Sequence, residues 1–254
     1  MIIFFSGTGN SHFVARELAK ALGENQLVHL KGELLFDPLK SRLSTTDKRI
    51  IWVFPTYSWG VPPVIKRFMN EATIKGAESA IHYMVTTCGD DIGETASQWR
   101  KIANKKSWHT ATAYSVIMPN TYVLMKGFDV DPVNISKEKL ELAPERIAEI
   151  ARRIKNEVPG DILTKGSWAK IKSKIIYPWF VRFCMSPKPF RSNGRCIGCG
   201  KCSKSCPMHN ITMDGDRPKW HDRCALCLRC YHICPCDAVE YGNATNDKGQ
   251  YFLE

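Results

Sequence analysis

The sequence contains no apolar run close to the roughly 20 residues that a membrane-spanning helix needs. It also lacks the basic region and the small-residue cleavage site of a secretory signal, because the apolar stretch Met1–Phe5 begins at once. We therefore expect a cytoplasmic protein without a membrane span. A reducing compartment argues against disulfide bonds, so the 11 cysteines need another explanation.

Acidic residues are fewer than basic ones: the sequence has 25 Asp and Glu and 36 Lys and Arg, which gives a formal net charge of +11. Such a balance is typical of proteins that bind nucleic acid or anionic surfaces. The chain shows neither a helix-turn-helix nor a basic-aromatic recognition module. We therefore expect no nucleic-acid partner.

Nine of the cysteines lie between Cys196 and Cys236, and eight of them form the pattern CxxCxxCxxxCP twice. Each cysteine of the second run follows its counterpart by 28 residues, as Cys224 follows Cys196, which indicates a duplicated unit. Zinc ribbons pair two CxxC knuckles, so a zinc site would leave the third and fourth cysteines of each run unexplained. The spacing instead favours iron–sulfur clusters, because three thiolates on one short loop can hold three corners of an iron–sulfur cube.

From about Asn193 to Leu253 the sequence resembles the bacterial dicluster ferredoxin family, through these two runs and the proline after each. The resemblance implies two [4Fe–4S] clusters, with the fourth cysteine of each run binding the other cluster. The implied ligands of cluster one are Cys196, Cys199, Cys202 and Cys234. The implied ligands of cluster two are Cys224, Cys227, Cys230 and Cys206. Cys236 is left over, either as a replacement ligand or as a spare thiol.

Two hairpins are predicted around these clusters. Ile211 to Met213 and Arg217 to Trp220 are joined by a turn of Asp and Gly, which is typical of a β-hairpin. Val239 to Tyr241 and Gln250 to Leu253 are predicted to repeat it.

The apolar run Met1–Phe5 ends in a loop of small and hydroxyl residues, and a helical pattern follows it directly. A strand, such a loop and a helix present backbone N–H groups to a phosphate. The loop lacks the third glycine of the dinucleotide fingerprint, where His12 stands, and the lysine of the nucleoside triphosphate loop. The stretch FFSGTGNS resembles the phosphate-binding loop of flavodoxins. This resemblance implies that FMN is bound by Ser6, Gly7, Thr8, Gly9, Asn10 and Ser11.

Two further loops extend the flavodoxin resemblance, which covers about residues 1 to 158. The loop after the predicted strand Arg49–Pro55 implies flavin contacts by Thr56, Tyr57, Trp59 and Gly60, with an aromatic ring stacked on the flavin. An ordinary core position is the alternative for Trp59. The loop after the predicted strand Ala80–Thr87 adds Thr87, Cys88, Gly89 and Asp90. For Cys88 a small buried side chain is the simpler interpretation and a redox thiol the alternative.

The second of these loops has no aromatic residue for the other face of the flavin ring. We expect that face to be open to a substrate or covered from elsewhere in the chain. Tyr122, near the end of the fifth predicted strand, and the aromatic residues between Trp168 and Phe190 are candidates.

The order of predicted elements indicates an α/β flavodoxin-like fold, a doubly wound parallel five-stranded sheet, followed by a small α+β dicluster ferredoxin-like domain. We divide the chain into an FMN-binding domain (1–158), a basic aromatic connecting segment (159–192) and a 2[4Fe–4S] domain (193–254). The connecting segment is predicted to be helical and interrupted by Pro178. A helix that packs its aromatic residues between the two domains and a helix that docks on a membrane surface or partner are the alternatives.

The whole chain resembles the flavodoxin–ferredoxin fusion proteins. This resemblance implies electron transfer between FMN and two [4Fe–4S] clusters, linking a two-electron partner or substrate to one-electron carriers. The alternative is an FMN-dependent reductase of a small organic substrate that receives electrons through the clusters. Each cluster and the FMN phosphate carry roughly −2, so the loaded protein would have a net charge of only about +5.

Overall fold

The computed structural model describes residues 1–253. Its strands are β1 (Ile2–Phe4), β2 (Leu27–His29), β3 (Leu43–Ser44), β4 (Arg49–Pro55), β5 (Ile74–Lys75), β6 (Ile81–Cys88), β7 (His109–Ile117), β8 (Phe190–Ser192), β9 (Ile211–Asp214), β10 (Arg217–Trp220) and β11 (Val239–Tyr241). Its α-helices are α1 (Asn10–Leu22), α2 (Glu33–Phe36), α3 (Pro63–Glu71), α4 (Thr95–Lys105), α5 (Val133–Lys155), α6 (Ala169–Ile171), α7 (Tyr177–Trp179), α8 (Lys201–Ser205) and α9 (Arg229–His232).

Five strands form one parallel sheet in the order β2-β1-β4-β6-β7. Numbered within this sheet alone, the order is 2-1-3-4-5, which defines the flavodoxin-like doubly wound fold. The winding reverses between β1 and β4, so ligands are expected beyond the carboxyl ends of these two strands. The predicted fold class is confirmed.

The central sheet is buried on both faces, which explains the continuous apolar runs of β1 and β4. Helices α1 and α5 cover one face with side chains such as Leu18 and Ile147. Helices α3 and α4 cover the other face, where Phe68 is fully buried. This second core continues into the C-terminal part of the chain through Met208 and Ala225. The N- and C-terminal parts therefore pack directly on each other.

The apolar repeat of Ala143, Ile147 and Ile150 predicts a helix from Leu142 to Asn156. Helix α5 begins earlier, at Val133, and continues through Pro144. Its first two turns are mostly solvent-exposed, so they carry no apolar repeat from which a helix could be predicted. The strands of the central sheet agree to within a residue at each end with those predicted from the sequence at Met1–Phe5, Leu27–Leu30, Arg49–Pro55, Ala80–Thr87 and Thr110–Met118.

The hairpin of β9 and β10 is formed as predicted. The second hairpin was wrong: β11 pairs antiparallel with β8 and not with Gln250–Leu253. Because β8 supplies the partner strand, the backbone of the C-terminal residues is free to bond elsewhere. It crosses the N-terminal loop, where the Leu253 N–H donates to the Thr8 carbonyl at 2.9 Å.

Residues 169–184 form one helical run, here called the connecting helix, in which α-helical and π-helical turns alternate. Pro178 lies within this run and does not end it, since the wider π turns adjust the hydrogen-bond ladder around the missing N–H. Tyr177 and Phe180 are buried, whereas Trp179 and Phe183 are exposed. Only some aromatic residues of the connecting helix therefore pack between the N- and C-terminal parts of the chain. Among residues 1–253, none of the helices combines the length and apolar composition needed to cross a bilayer.

Candidate functional site

The four cysteines predicted for cluster one surround a small cavity at the surface: Cys196, Cys199, Cys202 and Cys234. Three of them come from the first run and one from the second, as crossed ligation requires. Cys199 is exposed, and its neighbour Ile197 is 67% exposed. Cys236 also lines this cavity.

The four cysteines predicted for cluster two surround another cavity: Cys206, Cys224, Cys227 and Cys230. The Leu226 N–H lies 3.3 Å from Cys224 Sγ, and the Asn210 N–H lies 3.4 Å from Cys206 Sγ. Such N–H···S bonds are among the interactions that set the potential of a cluster. Within residues 1–253, no three His, Cys, Asp or Glu side chains meet closely enough to share one metal ion. The cysteines of each set surround a space instead of converging on a point.

Three buried donor atoms test whether the second cavity fits a cluster. Asn210, Trp220 and Arg229 line the cavity, and their buried atoms Nδ2, Nε1 and Nε have no nitrogen or oxygen acceptor among residues 1–253, although Trp220 is within reach of the Cys230 thiol. Buried donors without acceptors are costly, by about 1–3 kcal/mol each. Four thiols and three unpaired donors fit an anionic group with sulfur acceptors, and a [4Fe–4S] cluster is such a group.

The predicted phosphate loop lines a cavity of about 120 Å³ beyond the carboxyl end of β1. Five of its six predicted residues contribute: Ser6, Gly7, Thr8, Asn10 and Ser11. Gly9 does not line the cavity but precedes α1 with a φ of 104°, a conformation that requires glycine. Helix α1 begins at Asn10, so its unpaired first-turn N–H groups are available to an anion. Ser11 Oγ hydrogen bonds to Thr87 Oγ1 at 2.8 Å and ties the loop to β6.

The predicted aromatic loop is a tight turn. Tyr57 and Gly60 exchange two backbone hydrogen bonds of 2.9 Å, and Ser58 and Trp59 have φ values of 44° and 63°. These are features of a type I′ turn, in which non-glycine residues are strained. The turn holds the Trp59 ring 4.9 Å from Lys172 Nζ, half-buried at a cavity wall.

The loop after β6 is tightly fixed. Burial raises the pKa of the Cys88 thiol to about 12, which supports a small buried side chain rather than a reactive thiolate. The Gly89 carbonyl accepts a hydrogen bond from Lys139 Nζ at 2.8 Å, and a side chain at Gly89 would overlap Asn120. Asp131 holds Asn120 through its backbone N–H at 2.9 Å and its side-chain amide at 3.1 Å.

A larger cavity of about 510 Å³ lies beside the phosphate loop. Five predicted residues border both cavities: Thr56, Tyr57, Cys88, Gly89 and Tyr122. Trp59 and Asp90 border the larger one, whereas Thr87 borders only the smaller. Gly60 borders neither, because it lies against the Tyr177 ring. The volume lies within the range of about 300–1,000 Å³ that is usual for small molecules and cofactors.

Further walls of the larger cavity lie outside the three predicted flavin loops. They come from a loop after β7, the connecting helix and the second cysteine run: Met125, Phe128, Ile176, Trp179, Phe180, Leu226, Cys227 and Leu228. The sequence did indicate that aromatic residues of the connecting segment could cover the second flavin face. The contribution of the cysteine run was missed.

The duplicated cysteine pattern contains a sequence signal that the second run contributes to this cavity. Leu226 and Leu228 have φ values of 51° and 59°, whereas their counterparts in the first run are Gly198 and Gly200, at 67° and 68°. Leucine in the left-handed region costs about 1–2 kcal/mol relative to glycine. A strained leucine where the repeat has glycine indicates a function for the side chain, and here both leucines line the larger cavity.

Cys227 belongs to all three spaces, because it lines the second cysteine cavity, the phosphate-loop cavity and the larger cavity. The contact between the two parts is close, since a side chain at Gly7 would overlap the Cys227 carbonyl. The Tyr251 hydroxyl bonds to Asn10 Oδ1 at 3.2 Å. His232 is buried in the contact, and its Nε2 hydrogen bonds to the Thr121 carbonyl at 2.8 Å.

The connecting helix fixes two of the loops. Ser173 Oγ donates to the Trp59 carbonyl and accepts from the Glu94 N–H, each at 2.7 Å. The Tyr177 hydroxyl donates to the Val61 carbonyl at 2.5 Å. The helix therefore acts as a clamp on the loops that border the larger cavity.

Residues 195–238 match the 4Fe-4S dicluster domain family. No curated protein sequence matches the chain significantly. Among solved structures, the chain is similar to the Trp repressor binding protein from Bacillus subtilis, with 14% identity and a TM-score of 0.38 over 60% of this chain and 95% of that chain. It is similar to a short-chain flavodoxin associated with a non-canonical PDU bacterial microcompartment, with 14% identity and a TM-score of 0.33 over 59% and 96%. It is also similar to an azoreductase from Bacillus anthracis, with 10% identity and a TM-score of 0.39 over 60% and 98%.

These structural similarities are low, and the fold assignment rests on the strand order of the central sheet. The match to the dicluster family covers both cysteine runs. The C-terminal part of the chain therefore has [4Fe–4S] cluster binding and a redox role.

Proposed function

We propose that this protein transfers electrons between a bound FMN and two [4Fe–4S] clusters, as its resemblance to flavodoxin–ferredoxin fusion proteins implies. The observation that carries the proposal is the position of Cys227, which lines both the second cysteine cavity and the two cavities beside the predicted flavin loops. FMN exchanges two electrons with one partner and single electrons with another, and each cluster carries one electron.

The proposed cluster ligands are the two sets of cysteines already described. Cys196, Cys199, Cys202 and Cys234 would hold cluster one, and Cys206, Cys224, Cys227 and Cys230 would hold cluster two. In this assignment Cys236 stays a spare thiol at the edge of the first cavity.

The proposed FMN site uses the phosphate loop and the larger cavity. The first-turn N–H groups of α1 and the hydroxyls of Ser6, Thr8 and Ser11 would hold the phosphate. The loops at Tyr57–Gly60 and Cys88–Asp90 would border the ring. Aromatic side chains of the connecting helix, Trp179 and Phe180, would then cover part of it.

The two cysteine sets differ in how close they lie to the protein surface. The first lies at the surface beside the exposed Ile197, and the basic residues Arg195, Lys201 and Lys204 are nearby in the chain. A redox partner protein with an acidic surface is therefore the proposed contact of this set. The second set lies on the cavity side, so the chain would connect a surface site to a buried one.

A second candidate is supported by the volume of the larger cavity. At about 510 Å³ and with a mostly apolar wall, it offers space for a small organic molecule beside the flavin ring. The protein would then reduce that molecule, with electrons supplied through the clusters. The division into residues 1–158, 159–192 and 193–254 is kept as a proposal for either function.

Anaerobic purification tests the cofactor content. The proposal expects about eight irons, about eight sulfides and one FMN per chain. Stepwise reduction followed by absorbance and EPR should then show a flavin signal and two cluster signals. One zinc per chain, or no flavin after reconstitution with excess FMN, would contradict it.

Matched serine variants test the role of Cys227. Cys227→Ser should perturb one cluster signal and also the flavin absorbance, because this residue borders both sites. Cys199→Ser should perturb only the other cluster signal, because Cys199 lies at the surface cavity. Equal effects of both variants on the flavin absorbance would mean that the flavin site does not adjoin the second cysteine set. Steady reduction of a small molecule by the loaded protein would favour the reductase.

A further inference from the structure

The connecting helix carries an apolar ridge that the protein leaves uncovered. Its four members follow one another at intervals of four residues: Ile171, Ile175, Trp179 and Phe183. Their exposed fractions are 44%, 64%, 52% and 66%. Residues spaced by four lie on one side of a helix. Large apolar side chains in a contiguous row are unusual on a free surface and mark a contact site.

The opposite side of the helix is fixed to the protein. Ser173, Tyr177 and Phe180 are buried, and the first two hydrogen bond to the loops at Trp59 and Val61. Rotation of the helix to bury the ridge would break these bonds. The ridge is thus held outward by the same contacts that fix the flavin loops.

Loading of the proposed FMN site would not cover the ridge. Of its four members only Trp179 lines the larger cavity, whereas Ile171, Ile175 and Phe183 lie outside it. A molecule bound in the larger cavity would leave the other three ridge residues exposed. The ridge therefore needs a second contact, independent of the flavin.

A basic row lies directly beside the ridge. Lys170, Lys174 and Arg182 precede ridge residues by one position, with Pro178 in the fourth place. All three cations are exposed, whereas Lys172 is paired with Asp91 at 2.7 Å. From residue 162 to 213 the chain contains no Asp or Glu. The segment that carries the ridge is therefore basic, and the nearest acidic groups, such as Glu94 beside Lys170, come from other parts of the chain.

We propose that the connecting helix binds the surface of an anionic lipid membrane, with the ridge among the headgroups and the basic row on the lipid phosphates. Helices that lie in a membrane interface combine Trp, Phe and other large apolar residues on one side with Lys and Arg on another. The ridge is convex rather than a groove, and Lys is depleted from the centres of protein interfaces. This binding goes beyond the electron-transfer function and does not depend on it.

Vesicle co-sedimentation of the full-length, cofactor-loaded protein tests the proposal. Vesicles of phosphatidylcholine and phosphatidylglycerol at about 7:3 should bind the protein at low salt, and vesicles of phosphatidylcholine alone should bind it at least fivefold more weakly. Rising salt should release it. The variant Ile175→Ser with Phe183→Ser should lower the partition coefficient at least tenfold. The variant Lys170→Gln with Lys174→Gln should lower it at least fivefold, because both cations attract the anionic lipid.

A matched control removes two exposed apolar residues elsewhere. Leu39 and Val133 are 72% and 86% exposed, and the variant Leu39→Ser with Val133→Ser should change binding less than twofold. Circular dichroism and cluster absorbance check that each variant is folded. A second measurement needs no ridge deletion: brominated lipids should quench the fluorescence of the wild-type protein more than that of Trp179→Phe.

Three results would overturn the proposal. The wild-type protein stays in the supernatant with the mixed vesicles. The ridge variant binds as well as the wild type, which would assign binding to charge alone. The wild type, but not the ridge variant, forms a dimer without vesicles and then does not bind them, which would assign the ridge to a second copy of the chain.

Discussion

Arg229 of the second cysteine run donates a hydrogen bond from Nη1 to the Gly7 carbonyl of the phosphate loop, across 2.8 Å. Its Nε is buried and has no partner among residues 1–253, and its Cζ lies 4.8 Å from the centre of the Phe252 ring. One cation thus contacts the phosphate loop, the C-terminal residues and the cavity of the second cysteine set. It is in a position to act on both proposed cofactor sites.

We predict that Arg229→Gln lowers the midpoint potential of one cluster by tens of millivolts and leaves the other nearly unchanged. A positive charge favours the reduced, more negative state, and for one electron 59 mV corresponds to about 1.4 kcal/mol. A redox titration followed by EPR measures both potentials. Arg191→Gln is the control, because Arg191 is exposed and pairs with Glu240 at 2.9 Å. Equal shifts of both clusters in the Arg229 variant would refute a local effect.

We predict that Gly7→Ala weakens the contact between the two parts of the chain. The new methyl group would overlap the Cys227 carbonyl, and a backbone atom cannot move aside cheaply. Overpacking of this kind costs about 1–3 kcal/mol of unfolding free energy. Anaerobic urea unfolding measures it. Gly194→Ala should have almost no effect, since no atom lies within 4 Å of the added carbon. Equal stability of the two variants would be inconsistent with the observed contact.

Three cysteines of each run could be grouped from the sequence because a short loop limits where their thiols can reach, whereas the crossing of the fourth cysteine was implied by the family resemblance. The strand, loop and helix at residues 1–22 could be predicted because an apolar run, small residues and a helical pattern follow one another within about twenty residues. Both signals are local. The alternation of strands and helices is also read locally, and it predicted a doubly wound parallel sheet, whereas the strand order comes from the structure.

No local sequence pattern predicted the contacts between the N- and C-terminal parts of the chain. The contact of Gly7 with Cys227 joins residues far apart in the sequence and depends on how two finished surfaces fit. Gln250–Leu253 was predicted to be a strand that pairs with Val239–Tyr241, because the cysteine pattern repeats. In the structure β11 pairs with β8 instead. Val239–Tyr241 has the alternation of a strand, and alternation does not specify the partner strand.

We predict that Ser173→Ala weakens FMN binding. The variant leaves the Trp59 carbonyl and the Glu94 N–H without their partner in the connecting helix, so both flavin loops lose a fixed point. Buried groups left unpaired cost about 1–3 kcal/mol, and 1.4 kcal/mol is a tenfold change in dissociation constant. Recovery of flavin fluorescence on dilution measures the dissociation constant. Ser167→Ala, at an exposed position before the helix, is the control. An unchanged constant in the Ser173 variant would show that the clamp does not act on the flavin.

We predict that His82 makes the protein less stable as the pH falls. Its Nδ1 accepts from Trp52 Nε1 at 3.0 Å and its Nε2 donates to the Ala77 carbonyl at 2.9 Å, so the buried ring is neutral. Burial lowers its pKa, although the Ala77 carbonyl acts in the opposite direction. The unfolded chain takes up a proton near pH 6.5 and the folded chain does so only at lower pH. The stability from His82 is thus present above about pH 6.5 and lost as the pH falls toward the lowered pKa.

The variant His82→Leu isolates this effect from those of the other histidines. At pH 7.5 it should lose about 1–3 kcal/mol of unfolding free energy, because the Trp52 N–H and the Ala77 carbonyl lose their partner. The difference from the wild type should shrink between pH 7.5 and pH 5, since only the wild type pays for keeping His82 neutral. Anaerobic urea unfolding at several pH values measures it, with His109→Gln at the exposed start of β7 as the control. A difference that stays constant over this range would mean that His82 takes up its proton equally in the folded and unfolded chain.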